Sequence, residues 1–141
     1  MPKPCPFCAI ASGELPASIV LREERLIAFL DAKPVFQGHV LIVPLLHIDD
    51  FETLPAGLML PMMAAAQRIA RAQELALGAQ GAFIAINHRV SQSVPHLHLH
   101  VVPRKKGDGL RGFFWPRSSY ASDTERDEVA NRIAVALGEA R

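Results

Sequence analysis

Apolar and polar positions along this chain repeat with two different periods, and the change from one period to the other marks its elements. Ile19 to Arg22 and Leu26 to Asp31 read as two short strands joined by the polar turn Glu23-Glu24-Arg25. Gly38 to Pro44 is a compact apolar run, read as a central strand buried on both faces. The period then lengthens. Leu58, Met62, Ala65, Ile69 and Ala72 recur at helical spacing, predicting a helix over about 55–77 with Gly78 as its C-terminal cap. Pro61 lies near the first turns and is expected to start or kink it. Ala82 to Asn87 and Val94 to Val102 return to strand spacing. A last helix is expected from about Asp123, read as its N-cap with Arg126 at the third position, to Leu137 before Gly138. Ala9 to Gly13 reads as one short helical turn, and Lys105 to Arg117 as a loop ending in Phe113-Phe114-Trp115-Pro116. Five strands around one long helix, with a second helix at the C-terminus, predict an α+β fold with an antiparallel sheet.

Composition narrows the function classes. The 141 residues suit one domain, 1–141, without repeats or linkers. Half of them are hydrophobic and 21% are charged, so a proper core is expected and disorder is not. A formal charge of +1 argues against a nucleic-acid binder, whose affinity comes mainly from neutralising phosphates. No apolar run reaches the roughly 18 residues of a membrane span, and no apolar leader stands at the N-terminus; a cytoplasmic protein is expected. There Cys5-Pro6-Phe7-Cys8 reads as metal ligands or a redox pair sooner than as a structural disulfide.

The chemistry concentrates in His96-Leu97-His98-Leu99-His100, which holds three of the six histidines of the chain. In a strand the three imidazoles share one face, while Leu97, Leu99 and Val101 take the other. Two readings follow. One is a zinc site in which the three rings are ligands. The other is phosphoryl chemistry with one histidine as nucleophile. The uncharged Asn87, Gln92 and Ser93 just upstream suit phosphate oxygens and a leaving group better than they suit zinc.

This pattern resembles the histidine triad (HIT) family of nucleotide hydrolases and transferases. Besides the triad, Cys5-Pro6-Phe7-Cys8, Phe29-Leu30-Asp31-Ala32-Lys33-Pro34, Gly38-His39-Val40-Leu41-Ile42-Val43-Pro44, Asn87 and Gln92-Ser93-Val94 fall in the family's order, so the likeness spans nearly the whole chain. The resemblance implies that His98 attacks the α-phosphorus of a purine nucleotide and forms a nucleotidyl-histidine that water or another acceptor resolves. A neutral imidazole can do this near pH 7 if its second nitrogen donates to a backbone carbonyl. His100 then binds phosphate oxygens, Ser93 and Gln92 meet the phosphate and the leaving atom, and His39 supports the triad from the neighbouring strand, where it also reads as a satisfied core residue. Asp31 matches the acid that holds the ribose hydroxyls, and reads equally as a turn residue before Lys33-Pro34. Asn87 is a further nucleotide contact. Phe29 and Leu30, with Phe7, Ile10 and Leu15, match the apolar slot around the base, although Ile10 and Leu15 read as well as ordinary core.

Several members of the family carry a zinc site, and the matching positions are Cys5, Cys8, His47 and His96. The resemblance thus implies a structural Zn2+ that makes His96 a ligand and leaves His98 and His100 for chemistry. It implies a homodimer as well. The chain departs from the Hint-type pattern in the loop from Asn87 to Gln92, which is shorter, lacks their glycines and carries His88 and Arg89. The tail from Pro103 to Gly109 is closer to the branch that favours dinucleoside polyphosphates. Lys105, Lys106, Arg111 and Arg117 offer extra phosphate contacts or an ordinary solvated loop. Two rival classes stay open: a nucleotide-binding regulatory protein with little turnover, and a zinc hydrolase ligated by His96, His98 and His100. Slow turnover with intact nucleotide binding marks the first, and loss of activity on chelation with the fold intact marks the second.

Overall fold

The structure is a computed structural model that describes residues 4–110 and 117–139. They form two compact units that divide between Asp108 and Gly109. The first holds α1 (Pro6–Ser12), β1 (Ile19–Arg22), β2 (Leu26–Leu30), β3 (Val40–Pro44), a 3-10 turn at Phe51–Thr53, α2 (Ala56–Leu77), β4 (Gly81–Ala85) and β5 (Leu99–Arg104). The five strands make one antiparallel sheet in the order β1-β2-β3-β5-β4. β3 is central and all five of its residues are buried, as its unbroken apolar run predicts.

Strand alternation gives the sheet two different faces. Leu26, Ala28, Val40, Ile42, Leu99 and Val101 pack with Leu58, Met62, Ala65, Ala66 and Ile69 of α2. Ile27, Phe29, Leu41 and Val43 pack with Phe7 and Ile10 of α1. Truncating Leu58 or Met62 to alanine under the first face costs about 2–5 kcal/mol.

α2 begins at Ala56 and runs through Pro61. Proline offers no N–H to the carbonyl of Gly57 four residues earlier, and the Arg25 guanidinium donates to that oxygen instead at 3.2 Å. The helix stops at Gly78, which takes φ 69 and caps Gln73 and Glu74. Buried Gln73 donates from Nε2 to the Gly38 and Val101 carbonyls at 2.9 and 3.0 Å, tying α2 to the sheet. Gly38 itself takes φ 94, and a Cβ there would collide with the Leu77 side chain.

β5 starts later than the sequence suggests, at Leu99 and not at Val94. Continued by two residues, the β3–β5 register, Val40↔Val101 to Ile42↔Leu99, would set Leu97 against Pro44, which has no N–H to give the Leu97 carbonyl. Leu97 donates instead to the Ile48 carbonyl at 2.7 Å, so His96 and His98 precede the regular ladder. β4 is likewise Gly81–Ala85, ending before Asn87. In the second unit α3 spans Asp123–Glu139. Its cap is Ser122, whose hydroxyl accepts the Glu125 N–H at 3.1 Å; Asp123 is already inside the first turn. The run Phe113-Phe114-Trp115-Pro116 and Arg111 lie outside the described residues.

Candidate active site and metal-ligand cluster

A cleft of about 790 Å3 opens on the α1 side of the sheet. Phe7 and Ile10 come from α1, Leu15 from the segment after it, and Phe29 and Leu30 from the end of β2. Asp31, Ser93, His98 and His100 also line it. Leu15 and Leu30 stay 43% and 39% exposed, so the apolar wall they form is open to a ligand. Phe7 stands edge-on to Phe29 and to His98, with ring centroids 5.4 and 5.1 Å apart. Asp31 serves a turn and the cleft together: its Oδ1 accepts the Lys33 N–H at 2.9 Å while its side chain lines the cavity.

The histidine protons follow from their partners. His98 is buried, and its Nδ1 donates to the carbonyl of His96 at 2.8 Å, which leaves a lone pair on Nε2 of the neutral ring. Next to it the Val35 N–H donates to His39 Nδ1 at 3.1 Å. His39 therefore holds its proton on Nε2 and donates to His100 Nδ1 at 2.9 Å. His100 in turn holds its proton on Nε2, a buried atom without a partner among the described residues. Burial, with the His98 and His39 rings beside it, pushes His100 down to about 4. Burial lowers His39 as well, against the pull of Asp31.

Not every residue read from the sequence enters the cleft. Ser93 does. Gln92 and Asn87 do not line it, and His39 is buried behind His100. The Gln92 amide is engaged at both ends, accepting from the Arg89 N–H at 3.1 Å and donating to the Asp49 carbonyl at 2.7 Å. Arg89 and Ser91 both take φ 63, the left-handed region that glycine enters freely and side chains enter at a cost. Lys33, Pro16, Ala17 and Ser18 also line the cleft and were not singled out. The last three directly follow Leu15, and that adjacency is the signal that could have found them.

Beyond the cleft, Cys5, Cys8, His47 and His96 bring their ligand atoms within 4.8 Å of one another. Cys5 caps α1 by accepting the Cys8 N–H at 3.4 Å, and Pro6 opens the helix, which sets both sulfurs at its start. His96 Nδ1 lies 3.3 Å from Cys5 Sγ and 3.5 Å from Cys8 Sγ, and His47 Nδ1 lies 3.3 Å from Cys8 Sγ. Both rings give their outer proton away, His96 Nε2 to the Pro44 carbonyl at 2.9 Å and His47 Nε2 to Asp49 at 2.8 Å. Their lone pairs therefore face the sulfurs. Zinc bonds of about 2.3 Å to sulfur and about 2.1 Å to nitrogen imply tetrahedral S···N edges of about 3.6 Å, so this donor set fits the ion. His96, His98 and His100 do not form such a group: His96 faces the sulfurs, His98 binds a carbonyl and His100 binds His39.

The HIT domain pattern matches residues 12–107. The chain belongs to the HIT family. An uncharacterized HIT-like protein of Mycobacterium tuberculosis is 41% identical over 109 residues, 76% of each chain. The adenosine 5'-monophosphoramidase of Saccharomyces cerevisiae is 29% identical over 126 residues, 89% of this chain and 75% of its own. Among solved structures, a Zn-bound histidine triad family protein from Mycobacterium smegmatis shares 39% identity and a TM-score of 0.73, covering 96% of this chain and 95% of that one. The HIT fold is thus the antiparallel α+β architecture expected from the pattern of strands and helices. Among the described residues no helix is long and apolar enough to cross a membrane.

Proposed function

We propose that this HIT protein is a purine nucleotide hydrolase or nucleotidyl transferase that works through a covalent intermediate on His98. One observation carries the reading. The buried His98 ring gives its Nδ1 proton to the His96 carbonyl and keeps its Nε2 lone pair in a cleft that also holds Asp31, Ser93 and His100. In the first step the lone pair attacks the α-phosphorus, an N–P bond forms, and the bond to the leaving group breaks with its electron pair, the leaving atom taking a proton from solvent. In the second, water attacks phosphorus and gives one proton to solvent, and the N–P bond breaks, returning the lone pair to His98. The unpartnered Nε2–H of His100 donates to the non-bridging oxygens as they gain charge, backed by His39, and Ser93 adds a hydroxyl donor. Asp31 holds the ribose hydroxyls, and Phe7, Ile10, Leu15, Phe29 and Leu30 enclose the base.

Cys5, Cys8, His47 and His96 are assigned to a structural Zn2+, which with four protein ligands supplies a cross-link and no open position for water. Burial and the neighbouring Cys5 raise the Cys8 thiol above its ordinary value, so a cation bound here must displace its proton and its affinity rises with pH. The name of the yeast relative supports a phosphoramidate substrate, and a dinucleoside polyphosphate belongs in the same panel. The test is intact mass after a brief reaction with each. Wild type gains an acid-labile nucleoside monophosphate and His98→Asn does not. An adduct on His98→Asn, or neither adduct nor turnover with wild type, overturns the reading.

A further inference from the structure

We infer that Arg89 is a positioning residue for the reaction proposed above: its guanidinium fastens the loop 88–93 to the segment Asp49–Glu52 and so sets where Ser93 stands in the cleft. The loop enters the left-handed region twice in three residues, at Arg89 and Ser91, with no glycine to ease it. Bonds within the loop, from the Val90 N–H to the His88 carbonyl and from the Arg89 N–H to Gln92 Oε1, shape it locally, and the contacts that tie it to the rest of the fold come from the segment Asp49–Glu52. Arg89 Nε donates to Asp50 Oδ2 and Arg89 Nη2 to Glu52 Oε2, each at 3.0 Å. Asp50 is itself fixed, because its Oδ1 accepts the Thr53 N–H at 3.1 Å and caps the 3-10 turn. Gln92 Nε2 reaches the Asp49 carbonyl, and Gln92 Oε1 takes the Arg89 N–H. Beyond the loop, the Leu97 N–H meets the Ile48 carbonyl.

Residues 89, 92 and 97 are therefore fastened in order along 48–52, and between these anchors Ser93 and Val94 face the cavity. The sequence-based role for Gln92, a contact to the leaving group, becomes a structural one here: its amide completes the clamp. A planar guanidinium can meet two carboxylates at once, whereas an ammonium is a single point charge. That difference makes the inference testable apart from simple loss of charge.

Three variants of the full chain separate the clamp from the backbone. Arg89→Gly removes the clamp and relieves the backbone demand at φ 63 together. Arg89→Lys keeps the charge without the fork. Ser91→Gly relieves the same backbone demand with the clamp intact. With the phosphoramidate as substrate, the expected result is a roughly tenfold fall in kcat for Arg89→Gly, KM within about twofold and an unchanged melting temperature, partial recovery in Arg89→Lys, and wild-type behaviour in Ser91→Gly. Followed by hydrogen exchange without substrate, the backbone amides of residues 89, 90 and 92, which donate to Gln92 Oε1 and to the His88 and Arg89 carbonyls, exchange about tenfold faster in Arg89→Gly. The gain is smaller in Arg89→Lys, and Ser91→Gly keeps the wild-type rate. Wild-type kcat in Arg89→Gly, or an equal loss in Ser91→Gly, overturns the inference. Should wild type show no turnover and no adduct, the reading of the active site has failed separately, and exchange alone decides: unchanged rates in Arg89→Gly then overturn the clamp.

Discussion

His96 and His98 stand two residues apart on one stretch of chain, both buried, and each gives one ring proton to a main-chain carbonyl. What remains to each ring differs. At His96 the free lone pair points at two sulfurs and a second imidazole whose own proton is also given away, so every donor in that corner turns inward upon one point. At His98 the lone pair meets open space, and the neighbouring His100 presents an N–H with nothing to receive it. The same device, a carbonyl that fixes the tautomer, thus makes a closed corner in one place and an unfinished site in the other. Polar groups that find all their partners within the chain hold structure together. A buried one that lacks a partner and borders a cleft, as the His100 Nε2–H does, marks where a ligand belongs.

If that contrast holds, the two regions should fail in different ways. The largest effect is expected for His98→Asn, with turnover reduced on the order of 10³-fold or more and the melting temperature moved by only a few degrees. Steady-state rates and calorimetry on the same samples check this, and a collapse of stability without loss of rate would reverse the roles of the two histidines. Next comes Cys8→Ser: wild type is expected to carry one zinc ion by native mass spectrometry, and the variant should lose it and melt roughly 5–10 °C lower, while folded molecules keep most of their rate. Loss of rate in step with metal content would place the ion in the chemistry.

His39→Asn removes the N–H that holds His100, and about a tenfold fall in kcat is expected, since a buried hydrogen bond contributes on the order of 1 kcal/mol. An effect of similar size is one of pH. His100 titrates at about 4 when folded, against 6.5 when free, so the unfolded chain binds more protons between these values. Stability from this group is therefore level above about 6.5 and falls as pH drops toward 4. In His100→Gln the loss between pH 7 and 4.5, followed by urea unfolding, should be smaller by about 1–2 kcal/mol. Equal losses in both proteins would mean that the ring carries its proton in the fold.

Where local pattern decides, the sequence was legible. β3 announced itself through an apolar run bounded by Gly38 and Pro44, and α2 through a helical repeat ended by Gly78. The triad's period of two put Leu97, Leu99 and Val101 on the core side, and the core does hold them. The start of β5 was not legible, because it depends on which residue of the partner strand can still offer an N–H, and that partner position is Pro44. Ser122 was missed in favour of Asp123 since two good capping residues stand side by side and only geometry chooses. In the cleft, Ser93, Asp31, His98 and the apolar wall came together from separate motifs. Gln92 turned elsewhere because its partners, the Asp49 carbonyl and the Arg89 amide, belong to a fold-level contact that no local spacing encodes.

The atom that orients His98 is the main-chain oxygen of residue 96. No amino-acid replacement at 96 deletes a carbonyl, so the acceptor that orients the His98 ring is written into the path of the polypeptide. A change of side chain at 96 can therefore take a nitrogen away from the two sulfurs without taking that acceptor away from His98.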